Sequence, residues 1–116
     1  MEHNIPTDKA IVEKVKSIIV SDLSRVQLLT DLAAMAGTTP YTLKRIFKKQ
    51  TGESLDIFYR RARIEMAKEL LRTTNNTIQM IAEAVGYTEG NNFQNSFKRM
   101  VGCTPGEWRK ANPDTR

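Results

Sequence analysis

The segment Phe47-Lys48-Lys49-Gln50-Thr51-Gly52 returns fifty residues later as Phe97-Lys98-Arg99-Met100-Val101-Gly102, and an Ala-x-x-x-Gly precedes each copy. Ala33 and Gly37 stand before the first, Ala82 and Gly86 before the second. Each half reads as a helix-turn-helix: a small residue where two helices cross closely, a glycine at the helix stop, then a hydroxyl residue opening the next helix. A duplicated unit of this kind in 116 residues restricts the chain to one small domain, or two small lobes sharing a helix. Gly37 to Phe47 is one residue shorter than Gly86 to Phe97, so the second turn carries an extra residue.

Helical spacing dominates and alternating strand patterns are absent, which predicts an all-α fold of about seven helices. Pro6-Thr7-Asp8 starts a first helix whose stripe is Ile11, Val12, Val15, Ile18 and Ile19. The second runs from about Val26 to Ala36, with Leu28, Leu29, Leu32, Ala33 and Ala36 inward, and Ser24 with Gln27 resembles a capping box. Thr39 caps a third helix that has Pro40 at its first position; Leu43, Ile46 and Phe47 form its buried face. Ser54 opens an uninterrupted helix to Thr73, about 30 Å long, with Leu55, Phe58, Ala62, Ala67, Leu70 and Leu71 inward. Thr77 caps a short helix from Ile78 to Val85. A sixth follows Gly86-Tyr87-Thr88 with Phe93, Phe97 and Met100 inward, and Thr104-Pro105 starts a last one bearing Trp108 and Arg109. The expected organisation is a loose tail over 1–7, a first helix-turn-helix subdomain over 8–53, a linker helix over 54–73, a second subdomain over 74–110 and a loose tail over 111–116.

Eighteen Lys and Arg against thirteen Asp and Glu leave a net charge of +5. The excess is modest, but its placement is informative: Thr38 to Thr51 holds Lys44, Arg45, Lys48 and Lys49 and no acid, whereas a merely solvated helix face usually mixes signs. A basic, acid-free helix favours nucleic acid as partner. No apolar run approaches the roughly 20 residues needed to cross a bilayer. Met1 to Lys9 lacks the apolar segment of a secretory signal, so no membrane partner is expected. Cys103 is the single cysteine and suits a reducing cytoplasm; with His3 the single histidine, no ordinary zinc site and no cofactor is expected.

Two unequal reading faces emerge. On the third helix Tyr41, Lys44, Arg45 and Lys48 recur at steps of three and four, opposite the apolar face. Lys44 and Arg45 can donate to guanine O6 and N7, and Tyr41 can lie against a thymine methyl. On the sixth helix the outward residues are Gly90, Asn91, Gln94 and Asn95, whose amides suit adenine and water-mediated contacts. Thr38, Thr39, Lys48, Thr88, Lys98 and Arg99 are placed for phosphates. Major-groove faces recur about every 34–36 Å along one side of B-DNA. A linker helix of about 30 Å is therefore the right scale to set two reading helices in neighbouring grooves of an asymmetric site.

These residues resemble the DNA-binding domain of the AraC/XylS family of bacterial transcription regulators over roughly Ile11 to Lys110. The most specific part is Ile81-Ala82, Gly86-Tyr87, Phe93, Phe97-Lys98, Gly102 and Thr104-Pro105, ending at Trp108-Arg109. Leu32-Ala33, Gly37, Leu43, Phe47-Lys48, Gly52 and Arg63-Ile64-x-x-Ala67-x-x-Leu70-Leu71 agree as well. The resemblance implies two helix-turn-helix units on one long helix, base contacts from Tyr41, Lys44, Arg45, Gly90, Asn91, Gln94 and Asn95, and activation through RNA polymerase. The chain departs from the family pattern at Gly90, Asn92 and Asn95, and Leu28 occupies a usual hydroxyl cap site; the first unit is therefore expected to dominate specificity. Family members commonly carry a separate effector-binding or dimerisation domain, for which this chain has no room. It is thus an autonomous regulator or the terminal piece of a larger one.

The competing expectation is an all-helical protein-interaction module whose basic face meets RNA polymerase or another acidic partner. An enzyme is not expected. No phosphate-cradling glycine loop and no nucleophile paired with histidine occur, and Glu65 and Glu69 balance cations such as Arg61 and Lys68 rather than forming a catalytic pair.

Overall fold

The computed structural model describes residues 6–23 and 28–113. Among them run seven helices and no strand: α1 (Asp8–Ser21), α2 (Leu29–Ala36), α3 (Pro40–Thr51), α4 (Leu55–Thr73), α5 (Ile78–Ala84), α6 (Gly90–Val101) and α7 (Pro105–Ala111). Residues 1–5 of the expected tail over 1–7, residues 114–116 of that over 111–116, the Ser24–Gln27 box and the start at Val26 lie outside the described residues, while Thr7 caps α1 and Ala111 ends α7.

Most starts follow from hydroxyl caps. Thr7, Thr39 and Thr77 each accept a bond from the backbone amide three residues on, at 3.1, 3.2 and 3.1 Å. Such a cap is worth about 1 kcal/mol to its helix. Thr104 and Glu107 close a full capping box at α7. Two expectations need correction here. Leu28 does not point inward; it occupies the N-cap of α2 in extended conformation, 61% exposed, with no side-chain cap bond. Thr88 does not open α6: the extra residue of the second turn moves it one place out, and Glu89 takes the cap position without a side-chain bond.

The repeat has a common physical basis. In the first turn the Thr38 amide donates to Ala33 O at 2.9 Å and Gly37 to Ala34 O at 3.1 Å. In the second the Tyr87 amide donates to Ala82 O at 2.9 Å and Gly86 to Glu83 O at 3.1 Å. Both are six-to-one helix stops that need a left-handed residue, supplied by Gly37 (φ 81°) and Gly86 (φ 95°). Ala33 and Ala82 are fully buried beneath the turns, where a larger side chain would have no space.

Two compact units divide the chain, one comprising Met1–Asp22 and Val26–Tyr59, the other Leu23–Arg25 and Arg60–Arg116. The boundary falls inside α4, whose first residues group with the first unit and the rest with the second. In the first unit α1 packs on α2 and α3, burying Val15, Ile19, Leu32, Leu43, Ile46 and Phe47; Phe58 meets Phe47 edge-on at 5.5 Å. In the second, Ile64, Ala67 and Leu71 of α4 pack with Ile81, Ala82, Val85, Phe93 and Phe97. Burying one such aromatic contributes about 1.5–3 kcal/mol. Trp108 covers this core half-buried, 6.4 Å from Phe97. Met100, expected inward, is exposed although it shares the helical spacing of Phe93 and Phe97, and Val101 packs against this core instead.

On the outer side of α4, Lys68 pairs with Glu65 at 3.3 Å, and Glu69 pairs with Arg72 rather than with Lys68. Both are (i, i+3) surface pairs worth a few tenths of a kcal/mol, about 0.2–0.5.

Candidate nucleic-acid interface

In the first unit the interface candidate is the outer side of α3. Leu43, Ile46 and Phe47 turn inward at 1% exposure or less, which forces the residues between them outward. Tyr41 is 75% exposed, and Lys44, Arg45 and Lys48 are exposed beside it. Among the described residues Lys44, Arg45 and Lys48 form no ion pair. No acid lies in the first turn of α3, and Lys48 and Lys49 close its last.

The two threonines before α3 differ in availability. Thr39 Oγ1 accepts the Thr42 amide and donates to Thr42 Oγ1 at 3.0 Å, so its hydroxyl is engaged in capping. The Thr38 amide is spent on Ala33, leaving its half-buried hydroxyl as the group that could reach a phosphate.

In the second unit α6 presents Asn91, Gln94 and Asn95, all exposed, opposite the fully buried Phe93 and Phe97. Tyr87 packs edge-on against Phe93 at 5.5 Å, and the Arg63 guanidinium lies over the Tyr87 ring at 5.4 Å. That stack holds the turn that leads into α6. Gly90 is half-buried: a Cβ there would stand 2.5 Å from Gln79 Oε1, so the glycine admits the Gln79 side chain, itself bonded to Glu83 at 3.0 Å. What Gly90 offers outward is backbone. Thr88, Lys98 and Arg99 are exposed.

Two exposed neighbours noted in the sequence were given no contact there: Lys49, which follows Arg45 by one helical turn, and Asn92, which precedes Asn95 by three residues. Among the described residues no group of three or more His, Cys, Asp and Glu could hold a metal ion. No helix among them is long and apolar enough to cross a membrane.

A family profile described as "Helix-turn-helix domain" matches residues 32–111. The chain is 35% identical over 107 residues to the HTH-type transcriptional regulator GlxA of Rhizobium meliloti, covering 92% of this chain and 32% of that protein. It thus spans about a third of that relative's length. Among solved structures it is similar to the C-terminal domain of AraT, a response regulator from Geobacillus stearothermophilus. That match has a TM-score of 0.84 and 30% identity over 91% of this chain and 88% of that one. The DNA-binding domain of AdpA, a global transcriptional factor solved with a target DNA, shares the fold with a TM-score of 0.80 at 24% identity, covering 86% and 90% of the two chains.

Proposed function

Since the chain belongs to the AraC-type helix-turn-helix transcription regulators and carries their DNA-binding domain, we propose that it reads two adjacent major-groove segments of an asymmetric site and activates transcription there. One observation supports this most: Tyr41, Lys44, Arg45 and Lys48 stand exposed and the three cations unpaired on one side of α3, while the residues between them form the core.

In this reading Lys44 and Arg45 donate to guanine edges, and Tyr41 lies against a thymine methyl. Asn91, Gln94 and Asn95 read or bridge to adenine-rich steps, while Gly90 offers only its backbone at the helix start. Phosphates are met by Lys48, Lys98 and Arg99, by the hydroxyls of Thr38 and Thr88, and by the N-terminus of α3 at Thr39, whose own hydroxyl is kept by its cap; these contacts fix register without reading sequence. The first face is cationic and the second is built of amides, so the two halves of the site differ and the first contributes more discrimination. Function is then binding rather than catalysis, in the bacterial cytoplasm. RNA polymerase is the partner that activation requires, and a separate effector-binding or dimerisation domain is the partner if the chain is the terminal part of a longer regulator.

Selection of bound fragments from random duplex DNA tests this directly. Enrichment of two dissimilar elements about one helical turn apart is expected. Enrichment of a palindrome, or of no sequence at all, would overturn the asymmetric bipartite site. A binding constant that does not change with salt would favour the protein-interaction module instead.

A further inference from the structure

Within the first unit a cleft of about 330 Å³ opens between α2, α3 and the beginning of α4. Leu29, Leu32, Leu55 and Tyr59 give it apolar surface, and Lys44 and Lys48 line it as well. Neither ammonium has an ion-pair partner among the described residues. Unpaired cations at the edge of apolar surface suit a molecule that is apolar along its body and anionic at one end. The body gains from leaving water, and the head gains charge-assisted hydrogen bonds. Asp56 also lines the cleft, and its carboxylate repels a second negative charge. Ser54 beside it accepts the Ile57 amide at 3.2 Å and keeps its own O–H as a donor. The volume falls at the low end of small-ligand sites, about 300–1,000 Å³, which favours a compact ligand over a peptide helix.

We propose that this cleft binds a small amphipathic carboxylate, and that its occupancy competes with DNA because Lys44 and Lys48 serve both. The binding half stands on the cleft alone; the competition half rests on the DNA assignment proposed above. A ligand seated here draws two ammonium groups from the reading face of α3 and places a negative charge where a phosphate or base edge would come. DNA binding weakens accordingly, and by linkage DNA weakens the ligand equally.

The test uses octanoate as probe on the isotope-labelled chain, with octanol and octylamine as neutral and cationic counterparts. Saturable NMR shifts at Leu29, Leu32, Leu55 and Tyr59 are expected, with octanoate bound about tenfold more tightly than either counterpart. Asp56→Asn should tighten octanoate, and Lys44→Gln with Lys48→Gln should abolish the preference over octanol while the shifts remain. Unchanged Leu43 and Ile46 methyl signals report that the variants are folded. Saturating octanoate, but not octanol, should weaken a selected DNA duplex about tenfold. Equal binding of all three probes, or shifts scattered away from the cleft, overturns the anion site. Octanoate seated in the cleft with DNA affinity unchanged overturns the competition. Should Lys44→Gln leave DNA affinity intact, the assignment of Lys44 to DNA fails, while the probe shifts, measured without DNA, still decide the cleft.

Discussion

Gly86 and Gly102 share a positive φ, 95° and 101°, but not their surroundings. A Cβ at Gly86 would stand 2.4 Å from the Leu23 carbonyl oxygen and 3.1 Å from the Arg63 guanidinium, whereas nothing lies within 4 Å of one at Gly102. The first clash is with backbone and has no cheap escape. Gly102→Ala is therefore expected to lose about 1 kcal/mol of stability, the left-handed strain alone. Gly86→Ala should lose about 3 kcal/mol, read as the difference in urea midpoints at constant m. Equal losses would mean that Leu23 yields. On the outer side of α3 the expectation is the reverse: Arg45 is exposed and forms no ion pair among the described residues, so Arg45→Ala should leave the unfolding midpoint in place. Its affinity for a selected site should fall by about 1–3 kcal/mol, with relaxed choice at a single base position. A loss shared by all DNA sequences would make Arg45 a phosphate contact.

At the scale of elements, the end of α4 depends on α7. Arg109 donates from Nε to Leu71 O at 2.9 Å and from Nη2 to Thr74 O at 3.2 Å, satisfying carbonyls that a helix terminus leaves without internal partners. A lysine cannot reproduce that fork. Arg109→Lys should cost about 1–2 kcal/mol in chemical unfolding, and a null effect would show that solvent serves those carbonyls as well. The start of α7 carries a pH dependence. The Thr104 amide donates to Glu107 Oε1 at 2.9 Å, and that bond, with the Thr104 hydroxyl, holds the Glu107 carboxyl below the ordinary range; desolvation opposes them and the charge of Lys98 adds to them. A carboxyl lowered by folding adds stability that is complete above its unfolded pKa and disappears as pH falls through the folded one. Glu107→Gln keeps an acceptor but cannot titrate. Its thermal midpoint should vary less than that of the parent protein through the acid range, and parallel profiles would dismiss the contribution.

For the molecule as a whole, the helices were legible where local chemistry decides them. Thr39-Pro40 and Thr77 announce their starts, and Leu43, Ile46 and Phe47 announce a face. What stayed hidden was decided by a single residue of register or by tertiary approach. The extra residue of the second turn displaced Thr88 from its cap, Leu28 caps without a hydroxyl, Val101 rather than Met100 packs on the aromatic core, and nothing local in the sequence reveals that Gly90 makes room for Gln79. The candidate interface was legible to the extent that helical periodicity alone exposes it, but the use of each exposed residue is a matter of affinity. Salt is the lever that separates those uses, since every phosphate neutralised by Lys or Arg releases condensed counterions. If Lys48, Lys98 and Arg99 all contact phosphate while Lys44 and Arg45 read bases, Lys48→Ala should weaken specific and random duplexes by the same factor. It should also reduce the magnitude of the slope of log K against log salt by about 1. Arg45→Ala should alter the specific complex more than the random one. A Lys48 effect confined to the specific site would move that residue from the phosphates to the bases and enlarge the reading face of α3 by a helical turn.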